Sequence, residues 1–259
     1  MRIEAEFMQQ IAAAAAEQTL PRFRQAGLVS ANKLASGFDP VTEADREAEQ
    51  AIRALIRDAF PDHGIIGEEF GRENEDARFQ WVIDPIDGTR AFISGIPLWG
   101  TLVGLTDNGD AVAGMMSQPF TGELFWADES SSQYTGPDGS RTLSTRQTTD
   151  LAEATLCTTT PAMFTGWRGD VYGALEQSVR LARYGTDCYA YAMLASGSVD
   201  LVVETGLQSY DITAMIPIIE KAGGVITTWD GKPAEAAGDI VAAATPALHE
   251  AAMKILNAR

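Results

Sequence analysis

The chain has 259 residues, enough for one large domain or two closely packed halves around a sizeable core. Apolar residues make up 45% and charged residues 21%, which excludes a disordered chain, and the net charge of −17 argues against nucleic acid and anionic membranes as partners. A phosphorylated substrate would be repelled too, unless bound divalent cations inverted the local field.

The predicted elements follow in chain order. Residues 3–25 read as a helix with Pro21 and Gly27 near its end. The alanines at 12–16 are surrounded by Glu4, Glu6, Gln9, Gln10, Glu17 and Gln18, the pattern of a water-facing helix rather than a signal peptide. No run approaches the roughly 18 apolar residues that cross a bilayer, so a cytoplasmic protein is expected. Residues 33–41 read as a loop or short hairpin. Residues 43–58 predict a second helix with Ala44, Ala48, Ala51, Ile52, Leu55 and Ile56 on one face. Short strands are expected at 64–67 and 79–84. Strands at 101–106, 111–117 and 123–127, with turns at 107–110 and 119–122, form an antiparallel meander. Beyond it come a strand at 154–159, helices at 170–183 and 187–196, and a strand at 199–204. A helix at 211–222, strands at 225–228 and 240–243 and a helix at 246–256 end the chain. Cys157 and Cys188 lack metal or redox spacing and read as buried thiols in a reducing compartment. His63 and His249 are expected at the surface.

Chemistry concentrates in acids. Asp84-Pro85-Ile86-Asp87-Gly88-Thr89 follows a strand rich in Trp81, Val82 and Ile83, which should deliver Asp84 at its C-terminal end, where ligands sit in α/β sheets. Asp84, Asp87 and the Ile86 carbonyl are the hard oxygen donors that Mg²⁺ prefers. Gly88 and Thr89 open a short helix whose N–H groups suit an anion. Locally the same stretch also reads as a solvated turn with a helix cap. Gly67-Glu68-Glu69 adds carboxylates after another short strand, or is an exposed loop. Asp211 heads a helix, where the helix dipole alone favours an acid. Thr42-Glu43-Ala44-Asp45 fits a capping box at the start of the second helix.

Taken together, Asp45, Gly67-Glu68-Glu69, Asp84-Pro85-Ile86-Asp87-Gly88-Thr89 and Tyr210-Asp211, with Ala222-Gly223-Gly224 after it, resemble the inositol monophosphatase family over nearly the whole chain. The resemblance implies an α/β fold, a layered αβαβα sandwich of the inositol monophosphatase and fructose-1,6-bisphosphatase type. It implies a single phosphatase unit over 1–259, with an α+β half at 1–140 carrying the metal loops and an α/β half at 141–259 completing the site. It further implies a homodimer with two to three Mg²⁺ per site, Mn²⁺ being an alternative. Glu68, Asp84, Ile86 (through its carbonyl), Asp87 and Asp211 would hold the metals. Asp45 and Thr89 would orient and deprotonate the attacking water, with Glu68 assisting. Gly88, Thr89 and Arg90 would meet the phosphate, and Lys33, in a loop before the second helix, would help close the site. The reaction this implies is direct in-line hydrolysis of a phosphate monoester without a protein nucleophile. A Cys-x5-Arg loop and a Walker phosphate loop are both absent.

Departures from the inositol-type pattern resemble the histidinol-phosphatase branch: Arg90-Ala91-Phe92 after Asp-Gly-Thr, Tyr210-Asp211-Ile212, and Asp187 in Gly185-Thr186-Asp187. Histidinol phosphate carries an ammonium group, and Asp187 and Glu204 would recognise it at the leaving-group end. A charge-assisted contact of that kind is worth about 1.5–3 kcal/mol. Otherwise Asp187 caps the following helix and Glu204 ends a strand in solvent. Inositol-1-monophosphatase and 3′(2′),5′-bisphosphate nucleotidase remain rivals, the latter using Arg90 and Arg183. A non-catalytic metal- or phosphate-binding regulator is the rival of a different class.

Overall fold

The structure is a computed structural model that describes residues 3, 5–25, 30–32 and 40–258. The first layer is a helix pair, α1 (Ala5–Thr19) and α2 (Glu43–Ala59), linked through a two-stranded ribbon of β1 (Ser30–Asn32) and β2 (Pro40–Thr42). Below it lies an eight-stranded sheet made of β3 (Gly64–Gly67), β4 (Gly71–Glu73), β5 (Phe79–Asp87), β6 (Gly100–Asp107), β7 (Asp110–Gln118), β8 (Glu123–Ala127), β9 (Ser132–Gly136) and β10 (Gly139–Thr142). Its order is β10-β9-β8-β7-β6-β5-β3-β4. The short α3 (Thr89–Ile93) follows β5.

The second half builds a five-stranded sheet in the order β12-β11-β13-β15-β14. Its strands are β11 (Thr155–Thr158), β12 (Leu181–Tyr184), β13 (Leu201–Leu207), β14 (Val225–Thr228) and β15 (Gly238–Ala243). Between the sheets lie α5 (Asp187–Ala195), α6 (Ser209–Ile212) and α7 (Met215–Lys221), and α4 (Trp167–Ser178) and α8 (Pro246–Leu256) cover the outer face. Side chains alternate across each sheet as strand geometry demands. Leu102 and Met116 join the core between the sheets, whereas their neighbours Val103 and Met115 pack under α1 and α2. Val202 faces that same middle core, while Leu201 and Val203 face α4 and α8. The expected αβαβα layering is therefore present, and no helix among the described residues is long and apolar enough to cross a membrane.

Several elements depart from the expectations. The first helix ends at Thr19, whose hydroxyl bonds back to the Ala15 carbonyl at 3.0 Å, and residues 20–24 form turns around Pro21. The helix expected at 170–183 stops at Ser178, because Val179 is extended (φ −97°, ψ 158°), and 181–184 become an edge strand parallel to β11. The helix expected at 211–222 is split in two. Pro217 has no N–H to offer the Thr213 carbonyl, and the break falls at Thr213–Ala214. β4, β9 and β10 had no counterpart in the sequence reading. The hairpin expected at 33–41, and Lys33 with it, lie mostly outside the described residues. Neither histidine is fully at the surface. His63 stacks on Phe60 and Phe79 at centroid distances of 4.9 and 5.1 Å and accepts a 3.1 Å bond at Nδ1 from Trp81 Nε1. His249 is half-buried against the Thr227 hydroxyl at 2.8 Å. Cys157 and Cys188 are buried free thiols, as expected.

Candidate active site

β5 carries the centre of the site, and its irregularity matters. In a regular strand, residues three apart face opposite ways. Asp84 pairs with Leu102 and Asp87 with Gly100, so three steps on β5 are matched by two on β6. This bulge lets both aspartates serve one side. Asp84 is 2% exposed, and its Oδ1 accepts the Ile86 N–H at 3.1 Å. The Thr101 hydroxyl fixes the Pro85 carbonyl at 2.8 Å. Gly88, at φ 80°, turns the chain into α3; a Cβ there would meet the Leu98 carbonyl at 3.1 Å and the Asp187 Cβ at 3.3 Å.

Neighbouring elements add further acids. β3 runs parallel to β5, and the N–H of Glu68, just past β3, donates to the Ile83 carbonyl at 3.1 Å. Glu68 lines the same cavity as Asp84, and its charge is felt at the Asp84 carboxyl. Asp211 sits on α6, its Oδ2 accepting the Gln208 N–H at 2.6 Å in a capping box. The N–H of Cys188, in the first turn of α5, donates to Asp87 Oδ2 at 2.7 Å. Carboxylate oxygens of Asp84, Asp87 and Asp211 all lie within 4.8 Å of one another.

The electrostatics of this cluster are unfavourable by themselves. Burial, then the charges of Glu68, Asp87 and Asp211, push the Asp84 carboxyl well above the usual range. Burial, then Asp187 and Asp211, do the same for Asp87. A divalent cation would reverse both effects. The donors are all oxygen, the set that suits Mg²⁺ or another hard cation. The residues present thus fit such an ion.

A cavity of about 260 Å³ opens beside the cluster. Glu68, Asp84, Ile86, Asp87, Gly88 and Thr89 line it, and so do Arg90, Asp187, Glu204 and Asp211. The Thr89 hydroxyl donates to the Ile86 carbonyl at 3.0 Å. Asp45 does not line the cavity. It sits at the third position of α2, its Oδ2 accepting the Thr42 N–H and hydroxyl at 2.8 and 2.6 Å, which is the expected capping box. Its Oδ1 is buried without a hydrogen-bond partner among the described residues. Burial pushes the Asp45 carboxyl up to about 6, with a contribution from the charge of Glu68 nearby.

At the far end of the cavity Glu204 is buried rather than solvated. Its Oε1 accepts the N–H and hydroxyl of Thr159 at 2.6 and 3.0 Å, and its Oε2 has no partner among the described residues. Burial pushes its carboxyl up to about 8. Asp187 begins α5 in the left-handed region at φ 43°, an uncommon conformation for a residue with a side chain. It does not act as the cap of α5, which is Thr186 without a side-chain bond. The Thr159 hydroxyl lies 3.5 Å from Asp187 Oδ1. Burial raises the Asp187 carboxyl to about 6, although Thr159 and the charge of Arg90 pull it down. Arg90 is the one basic side chain among the described residues lining the cavity, whereas Arg183 lies on the edge strand β12.

Sequence reasoning missed Thr159, Gln208 and the N–H of Cys188. A threonine at a strand end carries no signal, and neither does a backbone amide. The one available clue was that Gly185-Thr186-Asp187 starts a helix, whose N-terminus attracts a carboxylate.

A layered α/β fold with a carboxylate cage at the sheet edge, beside a turn of backbone amides, is a layout suited to metal-dependent phosphate hydrolysis. The chain belongs to the inositol monophosphatase family, which it matches over residues 3–259. It is 35% identical over 259 residues to a histidinol-phosphatase of Streptomyces coelicolor, covering 96% of this chain and 95% of that one. It is 43% identical over 203 residues to the chloroplastic bifunctional phosphatase IMPL2 of Arabidopsis thaliana. That match covers 75% of this chain but spans only 56% of the plant protein. The fold superposes on an inositol monophosphatase from Zymomonas mobilis with a TM-score of 0.85 at 37% identity, covering 97% of this chain and 96% of the other. The protein is accordingly a phosphoric monoester hydrolase of a metal-dependent family.

Proposed function

We propose that the protein is a Mg²⁺-dependent histidinol-phosphatase of histidine biosynthesis, cleaving L-histidinol phosphate to L-histidinol and phosphate. The carrying observation is Glu204: it is 2% exposed, lines the cavity, and keeps one carboxylate oxygen without a partner among the described residues. Burial keeps this carboxyl protonated near neutral pH while the pocket is empty; a bound ammonium group would draw it into the charged form, a pairing that a neutral sugar hydroxyl does not offer. Asp187 stands beside it, though it already shares its charge with Arg90.

In this reading Glu68, Asp84, Asp87, Asp211 and the Ile86 carbonyl hold two to three cations, Mn²⁺ being a substitute. Bound cations supply the positive charge that offsets the phosphate dianion and eases ionisation of water. Asp45 and Thr89 orient the attacking water, and Asp45, with its carboxyl near 6 and a free Oδ1, takes up the proton. The amides of Gly88 and Thr89, with Arg90, hold the phosphate in line. The reading extends to a homodimer in the cytoplasm and to residues 1–259 acting as a single unit, its halves at 1–140 and 141–259.

Phosphate release from histidinol phosphate, inositol 1-phosphate and 3′-phosphoadenosine 5′-phosphate, with and without Mg²⁺, tests the assignment. Equal or greater turnover of inositol phosphate would overturn it in favour of the second reading, which the Zymomonas relative supports. Mg²⁺ binding without turnover of any ester would leave a regulator.

A further inference from the structure

One enclosed ion pair lies outside the cavity. Glu49 and Arg53, one turn apart on α2, are 0% and 2% exposed, and Arg53 Nε donates to Glu49 Oε1 at 2.7 Å. Apolar residues of the same volume often replace such a pair without loss of stability, so packing alone does not account for it. The remaining bonds are directed at one turn. Glu49 Oε2 accepts the N–H of Glu69 at 2.7 Å, and Oε1 accepts that of Phe70 at 3.2 Å. Arg53 continues to the Gly71 carbonyl at 2.5 Å and to Glu73 Oε1 at 2.7 Å. The turn from β3 to β4 is thus fastened to α2 at successive residues.

Glu68 sits between two parts of this fastening. On one side are the amides of Glu69 and Phe70. On the other is Gly67, where a Cβ would lie 1.9 Å from Glu49 Oε1 and 2.6 Å from an Arg53 nitrogen. Asp45, Glu49 and Arg53 recur at four-residue spacing on the buried face of α2. The same helix therefore carries Asp45 and grips the backbone on either side of Glu68.

We infer that Glu49 is a positioning residue for Glu68: its carboxylate, balanced by Arg53, holds the turn so that Glu68 faces Asp84. The inference rests on the proposed role of Glu68 as a cation ligand. Residues that orient metal ligands typically change metal affinity about 10- to 100-fold when altered.

The test is calorimetric titration of the full chain with Mg²⁺ alone, alongside phosphate release as a function of Mg²⁺. Glu49→Gln weakens Mg²⁺ binding about tenfold or more and raises the Mg²⁺ concentration needed for half-maximal rate, while kcat at saturating Mg²⁺ stays near that of the parent. In a Glu68→Gln background, Glu49→Gln changes Mg²⁺ affinity little further. Leu248→Ala, buried in the opposite outer core, lowers stability and leaves Mg²⁺ affinity intact. If Glu49→Gln does not fold, Gly67→Ala, which drives the Glu49 carboxylate off the turn, replaces it in both comparisons. Unchanged affinity in the single variant, or the same fold-loss with and without the Glu68 carboxylate, overturns the positioning role while leaving the functional reading standing. A parent protein that takes up no Mg²⁺ overturns both.

Discussion

Gly104 and Gly114 stand opposite each other across β6 and β7, and the backbone of Ala214 rests on the pair. A Cβ at Gly114 would lie 2.1 Å from the Ala214 carbonyl oxygen, and one at Gly104 2.9 Å from the Ala214 nitrogen. Ala214 lies at the break between α6, which carries Asp211, and α7. The bare sheet surface thus sets how closely Asp211 approaches Asp84 and Asp87. Gly114→Ala must push that segment away. The expected outcome is a loss of about 1–3 kcal/mol in urea unfolding, together with weaker Mg²⁺ binding. Unchanged values for both would show that the contact is not limiting.

Glu204 gives a pH prediction for the metal-free protein. Its carboxyl ionises near 8 when folded, against an ordinary value of 4.5. Between those values the folded state holds one more proton than the unfolded state, so unfolding releases it and stability falls as pH rises. The full slope for one such group is about 1.4 kcal/mol per pH unit. Urea unfolding in chelator across that window should show this fall in the parent and a flatter profile in Glu204→Gln. Parallel profiles would remove the assignment.

On the proposed histidinol-phosphate reading, selectivity follows the cationic end of the substrate. Asp187→Ala is expected to reduce kcat/KM for histidinol phosphate about tenfold or more, with a smaller effect on a neutral alcohol phosphate. Thr159→Val, which removes a hydrogen bond that favours the charged form of Glu204, should act in the same direction through KM. Uniform losses on both substrates would argue against ammonium recognition.

His63 offers a test away from the site. Burial lowers its pKa below 6.5, although Asp62 pulls the other way. The native state therefore favours the neutral ring that accepts from Trp81, and its stabilising effect is lost as pH falls from the ordinary histidine value through the lower folded one. An NMR titration should place the His63 midpoint below 6.5, with the Trp81 indole N–H shifting alongside it. A midpoint at or above the ordinary value would contradict the geometry.

Much of this was legible from residue pattern. The apolar face of α2, the meander, and the alternation of strands and helices beyond residue 150 pointed to layers; it was the resemblance to a family, more than local spacing, that joined Asp211 to Asp84 and Asp87, and the structure brings those three together. Other features left no trace in the pattern. Glu49 and Arg53 read as an ordinary i, i+4 pair on a helix, which is normally solvated; nothing local reveals that both are buried. β12 was hidden because its edge position leaves Leu181 and Tyr184 exposed, so no alternation survives there. The split between α6 and α7 was read as one helix, because Pro217 is also tolerated in the first turn of a helix and the sequence alone does not choose.

The bond from Cys188 to Asp87 crosses between the halves of the chain. Asp87 belongs to the first sheet, yet the group that aims it is the opening of a helix in the second half, and Asp211 returns from that half to complete the cluster. Neither sheet with its own connections therefore holds all of Asp84, Asp87 and Asp211. A substitution in α5 that displaces the Cys188 N–H should accordingly disturb Asp87 as directly as one in β5 itself.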